Sequence, residues 1–205
     1  MKAALIVIDM QQAIRDPRWL AAGPRNNPDA EANVARLQAA WRDAGALVVS
    51  VRHEGTDPDS TYLPNGPGAP FLPETAPRAD EAVVTKRAHS AFVATDLDAM
   101  LKAAGVEAIV VCGVITNNSV EATVRHAHDL GWRVLLAEDA CFTFAKRDRQ
   151  GRAWAAEEVH ALSLANLDGE YCDVVSASGA IALLGEISLP ASPVSTTASP
   201  SAADG

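Results

Sequence analysis

Long apolar runs are missing from this 205-residue chain, and with them any stretch able to cross a bilayer as a helix. Aromatic residues are scarce at 5%. Cations are outnumbered, 17 Lys and Arg against 26 Asp and Glu, for a formal net charge of −9. An acidic surface of this kind is repelled by nucleic acid and by anionic membranes, so neither is expected as a partner. Cysteine is limited to Cys112, Cys141 and Cys172, an odd and widely spaced set with no CxxC. That pattern suggests neither a disulfide framework nor a zinc site, and buried, reduced thiols are the preferred reading. The five histidines share no spacing that unites them as metal ligands, and His126 and His128, two apart on one helix, point differently.

What is present is apolar bulk. Hydrophobic residues make up 48% of the chain, enough for one substantial α/β domain. The opening MKAALIVIDM has a Lys before an apolar run, as a signal peptide would. Asp9 interrupts it and no small-residue cleavage site follows, so a buried first strand in a cytoplasmic protein is expected. Continuous apolar segments recur at 3–8, 46–51, 82–86, 107–114, 132–139 and 171–177, as strands covered on both faces should. Between them lie helical patterns at 28–45, 95–105, 117–131 and 154–169. In the first, Val34, Leu37 and Trp41 share a face; in the third, Val120, Thr123, Val124 and Ala127 do. Alternating strands and helices predict a three-layer α/β/α sandwich around a mainly parallel sheet. Residues 54–80 hold six Pro and three Gly and read as a long loop of the kind that forms lids and binding surfaces. Residues 1–187 are expected to form the domain. Residues 188–205, rich in Ser, Ala and Pro, are expected to be a disordered tail.

Ligands of open parallel sheets bind beyond the carboxyl ends of the strands. Asp9 ends the first apolar run, Lys86 ends AVVTK, and EAIVVCGV runs into the polar turn holding Ser119. A carboxylate, an ammonium and a hydroxyl together can perform nucleophilic catalysis: the first takes a proton, the second steadies charge, the third attacks. Each has a plainer reading. Strand-end charges are often merely solvated, and Ser119 could help to start a helix, with Asn117 as its N-cap. Glu138 and Asp139 close the strand WRVLLAED. His53, in RHEG, falls in the expected loop.

Four segments in order, ALIVIDMQ (4–11), TKRAHSAF (85–92), GVITNNSVEATVRHA (113–127) and LAEDAC (136–141), resemble the isochorismatase-like hydrolase superfamily. The resemblance covers roughly residues 1–185. It implies an Asp/Lys/Cys catalytic set, in which Asp9 matches the Asp, Lys86 the Lys, and Ser119 falls where the family's Cys stands. It also implies a cis peptide at Val114–Ile115, with the N–H groups of Ile115 and Ser119 turned to an oxyanion, and homo-oligomers. No catalytic metal or other cofactor is expected, because VVSVRHEG lacks the Asp-x-His element of the nicotinamidases. The implied substrate is a small molecule with an amide, ureide or carbamoyl C–N bond. Phe92 and Trp154 are candidates for lining its pocket, and Trp19, Trp132 and Trp154 for surface that a second subunit covers. A serine at the Cys position leaves three readings open: a replacement that retains substrate, a branch that uses a hydroxyl or water, or a ligand-binding descendant. Isochorismatase-type vinyl ether hydrolysis, which needs no nucleophile, is the chemical alternative.

Overall fold

The structure is a computed structural model that describes residues 2–188; residues 189–205, most of the expected tail, lie outside the described residues. Six parallel strands form the central sheet: β1 (Ala3–Ile8), β2 (Val48–His53), β3 (Ala82–Lys86), β4 (Ala108–Val114), β5 (Arg133–Phe142) and, after a short two-stranded hairpin of β6 (Lys146–Arg147) and β7 (Ala153–Trp154), β8 (Asp173–Val175). Their order across the sheet is β3-β2-β1-β4-β5-β8. Every residue of β1 and β4 is buried, which is why both read as unbroken apolar runs. β3, at one edge, alternates.

Helices α1 (Ala30–Asp43), α2 (Leu97–Ala103), α3 (Glu121–Asp129), α4 (Ala156–Ala165) and α5 (Ala177–Ser188) complete the layers. The chain steps from β1 to β2 in one direction and from β4 to β5 in the other. Right-handed crossovers therefore place α1 and α3 on opposite faces. The shared faces read from the sequence are the buried ones: Val34, Leu37 and Trp41 on α1, and Val120, Thr123, Val124 and Ala127 beside and along α3, are all fully enclosed. The Trp41 indole N–H donates to the Ala3 carbonyl at 3.2 Å, so the α1 face is tied to β1 by a hydrogen bond as well as by packing.

Several boundaries differ from the sequence expectation. β2 runs to His53 and not to residue 51. β5 continues past its two acids to Phe142. Its pairing with β4 shifts register between Val111 and Gly113, and the slack lets Asp139 leave the ladder. The Asp139 carboxylate accepts from the Ala177 N–H at 2.6 Å and so starts α5, a helix the sequence patterning did not predict. Trp154 belongs to β7, and α4 begins two residues later. Trp132 is buried, its indole N–H donating to Asp98 at 3.0 Å. Trp19 packs on Phe144 with ring centroids 5.7 Å apart. Trp132 is thus turned into the core, and Trp19 is half-buried. All three cysteines are buried and free.

The sheet order reverses between β1 and β4. Such a switch point opens a crevice at the carboxyl ends of the two strands, because the chain leaves them toward opposite faces. Asp9 follows β1 and the Ser119 turn follows β4, so the fold itself brings them together.

Candidate active site

At the switch point the strands nearly touch. Gly113 has φ of 116°, and a Cβ there would sit 2.2 Å from the Ile8 carbonyl oxygen. Only glycine permits that backbone and that approach. One residue further along β1, Asp9 takes a left-handed conformation, φ 52°. It is held by its N–H to the Val51 carbonyl at 3.0 Å and by its own carbonyl, which accepts from the Gln11 N–H at 2.8 Å. The Tyr62 hydroxyl, from the long loop, reaches the same carbonyl at 3.4 Å.

Lys86 comes from β3, two strands away. Its side chain is sealed from solvent and forms a salt bridge with Asp9, Nζ to Oδ2, of 2.8 Å. The same nitrogen donates to Ser119 Oγ at 3.2 Å and to the Ala88 carbonyl at 3.1 Å, and stands 3.4 Å from His53 Nδ1. Asp9 Oδ1 is buried with no hydrogen-bond partner. Burial raises the Asp9 pKa above its ordinary 3.8, and it outweighs the opposing pull of Lys86 and the smaller one of the Ser119 hydroxyl. An ion pair alone would have lowered it.

Ser119 is not at a helix N-cap. Residues Thr116–Val120 form one wide π-helical turn ahead of α3, a feature that often marks functional turns. Asn117 is non-helical, with φ −87° and ψ 19°. Its side-chain oxygen accepts from the Thr143 hydroxyl at 2.6 Å, so it caps nothing and the helix expected from residue 117 begins later. The turn is braced from behind by α4. Thr116 Oγ1 lies 2.9 Å from His160 Nδ1, and Ser163 Oγ donates to Glu121 at 2.6 Å. The Val114–Ile115 peptide bond is cis.

A cleft of about 390 Å³ opens above these groups, a size suited to a small molecule. Asp9, Ser119, Val114 and Ile115 line its floor, and Arg18, Trp19, Tyr62, His53 and His89 are among its walls. Tyr62 belongs to the 54–80 loop, as do the neighbouring lining residues Asp59, Ser60 and Thr61. Lys86 is shut in below the lining residues. Phe92 and Trp154, candidates from the sequence, do not line this cleft. Phe92 is buried against the His126 ring, centroids 5.7 Å apart. Trp154 borders a separate groove beside α4. Glu138 and Asp139 are also absent from the cleft.

The residues that sequence reasoning missed are His53, His89, Tyr62, Trp19 and Arg18. For His53 a signal existed. It directly follows the apolar run VVSVR, and extending that strand by two residues would have set it beside Lys86, its partner in the β2–β3 register. Tyr62 arrives on an irregular segment and Arg18 on a short 3-10 helix, Pro17–Ala22, for neither of which the 3.6-residue period says anything. Among the described residues, no group of three or more His, Cys, Asp and Glu side chains is placed to hold a metal ion. No described helix is long and apolar enough to cross a membrane.

A six-stranded parallel sheet with the site at its switch point, an Asp–Lys pair beneath and a polar turn after β4 define a family-level match. The sequence pattern of the isochorismatase domain matches residues 3–176, and the chain belongs to the isochorismatase family of hydrolases. A solved isochorismatase-family structure from Chromobacterium violaceum is 53% identical, with a TM-score of 0.85 over 90% of this chain and 94% of that one. Streptothricin hydrolase of Streptomyces noursei is 38% identical over 144 residues, 69% of this chain and 50% of that protein. Maleamate amidohydrolase of Pseudomonas putida is 29% identical over 197 residues, 88% of this chain and 85% of that protein.

Proposed function

We propose that this chain hydrolyses the C–N bond of a small amide, ureide or carbamoyl compound, with Ser119 as nucleophile, Asp9 as base and Lys86 as the fixed cation between them. The observation that carries the reading is the meeting of three side chains from three strand ends at one nitrogen. Lys86 Nζ lies 2.8 Å from Asp9 and 3.2 Å from Ser119. The similarity to a streptothricin hydrolase and a maleamate amidohydrolase supports the same class of bond.

The two Asp9 oxygens divide the work. Oδ2 is engaged with Lys86, and Oδ1 is unpaired, so Oδ1 is the atom free to take the Ser119 proton. Burial makes this carboxylate a stronger base than an ordinary aspartate. Ser119 Oγ then bonds to the carbonyl carbon, and the developing oxyanion is received by the N–H groups of Ile115 and Ser119. The C–N bond breaks as Asp9 returns the proton to the leaving nitrogen. Water, deprotonated in turn by Asp9, cleaves the acyl ester, releases the acid and restores the Ser119 hydroxyl. Serine is a weaker nucleophile than a thiolate at neutral pH, and the raised basicity of Asp9 offsets part of that difference.

The same raised pKa favours a second reading, in which protonated Asp9 acts as an acid on a vinyl ether and no nucleophile is used. The test for both is turnover by the unaltered chain on a panel of small amides, ureides and isochorismate, repeated with Ser119→Ala. Amide turnover lost in Ser119→Ala supports the nucleophile. Pyruvate release from isochorismate that survives Ser119→Ala supports acid catalysis. Binding without turnover of any kind would make the chain a ligand-binding descendant. Self-association, also expected of the chain, is measured by sedimentation.

A further inference from the structure

The His53 side chain touches Lys86, and the catalytic reading gives it no task. Its backbone is gripped on both sides by the fully buried Gln11 side chain: the His53 N–H donates to Gln11 Oε1 at 2.7 Å, and its carbonyl accepts from Gln11 Nε2 at 3.2 Å. Its ring stands edge-on to Tyr62, centroids 5.3 Å apart at 76°. Nδ1 faces Lys86 Nζ at 3.4 Å. The ring is therefore fixed in place and in rotation.

The surroundings of Lys86 favour one tautomer of the His53 ring. The ammonium has three hydrogens and four neighbours: Asp9 Oδ2, the Ala88 carbonyl, Ser119 Oγ and His53 Nδ1. None of the first two can donate back. A hydrogen on His53 Nδ1 would meet an ammonium head-on, so Nδ1 must be the bare, accepting nitrogen. The ring stays neutral at pH 7, since burial first and Lys86 second press its pKa down from 6.5 to about 4. A neutral imidazole with a bare Nδ1 carries its hydrogen on Nε2. That N–H makes no hydrogen bond to any described residue, although the ring is half-buried and lines the cleft. Among the other polar walls, Arg18, Ser60, Thr61, Asn118 and His89 are able to donate, and Asp59 is able only to accept.

We propose that His53 is a substrate-binding residue, presenting Nε2–H to a second oxygen acceptor of the substrate, so that the preferred substrates are amides bearing a carboxylate or carbonyl near the scissile group. This rests on the amide reading given above and narrows it. Because the donor is an uncharged ring rather than an ammonium, it keeps its hydrogen at Nε2 across the neutral range. Arg18, which also borders the cleft, has all three guanidinium nitrogens engaged, two on the Asp16 carboxylate at 3.0 Å each and the third on the Asp59 carbonyl at 2.7 Å.

Two measurements on the full chain test this. Imidazole nitrogen NMR reports the tautomer directly, with no need of activity. His53 is expected to show a bare Nδ1 and a protonated Nε2 at pH 7, and a ring protonated at Nδ1 overturns the proposal. Binding is then compared for succinamate, which has a carboxylate, and butyramide, which replaces it with a methyl group. Succinamate is expected to bind about tenfold or more tightly, the value of a hydrogen bond to a charged group. His53→Phe should remove that preference, while His53→Gln, which retains a side-chain N–H, should restore part of it; thermal unfolding of both variants confirms the fold. Equal affinity for the two amides, or a preference that survives His53→Phe, sinks the role of His53 and leaves the amide reading intact. Failure of both amides to bind overturns this proposal, while the C–N hydrolase reading stands or falls on turnover across the panel of amides and ureides.

Discussion

Lys86 and Asp9 form a salt bridge of 2.8 Å with both side chains shut away from solvent. Removing one member of such a pair leaves the other charge uncompensated in a medium that solvates it poorly. Lys86→Met is expected to destabilise the fold by about 3 kcal/mol, read as a lowered midpoint in urea. Ion pairs at the rim behave differently. Arg87 and Glu54, 3.3 Å apart with Arg87 71% exposed, should yield less than about 1 kcal/mol when broken.

The pH dependence of turnover separates the two chemical readings. Asp9 has a pKa raised by burial above 3.8. If it acts as base, kcat/KM on an amide climbs as pH rises through that raised value, because the ionised form is required. If it acts as acid on a vinyl ether, the rate declines over the same interval. A pH–rate profile for whichever substrate turns over decides the direction.

Exchange of the hydroxyl for a thiol is the most direct probe of the turn after β4. Ser119→Cys is expected to raise amide hydrolysis by roughly 10²-fold, since a thiolate beside a cation forms readily at neutral pH. Ser119→Ala is expected to abolish it. Neither should shift the thermal midpoint by the amount of a lost N-cap, about 1 kcal/mol, because Ser119 Oγ bonds to Lys86 and not to a free helix end. Turnover unchanged in Ser119→Ala would discard the nucleophile.

Stability against pH reports on His53. Its folded pKa, about 4, lies below the ordinary 6.5, so the unfolded chain binds the proton more readily between those values. The sign follows: His53 contributes stability that is complete above pH 6.5 and lost as pH falls toward 4. Burial is the main cause of this shift, and Lys86 and then His89 add to it. His53→Gln should flatten that part of the curve, measured by urea unfolding at successive pH values.

Gly113→Ala should be severely destabilising, by about 3 kcal/mol or more. The new methyl group would meet the Ile8 carbonyl at 2.2 Å in a backbone conformation that side chains avoid. Chemical denaturation of the variant, or its failure to accumulate as folded protein, is the check.

The parts of this molecule that were legible in its sequence are those governed by period and burial. β1 and β4 are apolar at every position because both faces are covered, and α1 shows Val34, Leu37 and Trp41 because one face is. Asp9 and Lys86 were visible as charges that end apolar runs. The start of α3 was not, because Asn117 has the chemistry of a cap but gives its oxygen to Thr143, a partner 26 residues away. Likewise α5 begins on the Asp139 carboxylate, supplied by another strand. His53 reads as loop because polar residues at a strand end look alike whether they face water or a neighbouring ammonium. The walls of the cleft come from an irregular loop and a short 3-10 helix, so Tyr62 and Arg18 leave no trace in the pattern.

Gln11 has a part that its place in the chain conceals. Its side-chain amide bonds His53 through both donor and acceptor and gives a further hydrogen to the Ala69 carbonyl at 3.0 Å. A peptide group in a neighbouring strand would offer the same pair of atoms to β2. The sheet is thus prolonged past the end of β1 by a peptide surrogate that belongs to no strand, at the point where the main chain must turn aside to aim Asp9. A carboxylate of the same shape could still accept from the His53 N–H, but it would face two carbonyl oxygens with no hydrogen to give. The loop that carries Tyr62 would then lose one of its ties to the strand that carries His53, and the wall of the cleft would part from its floor.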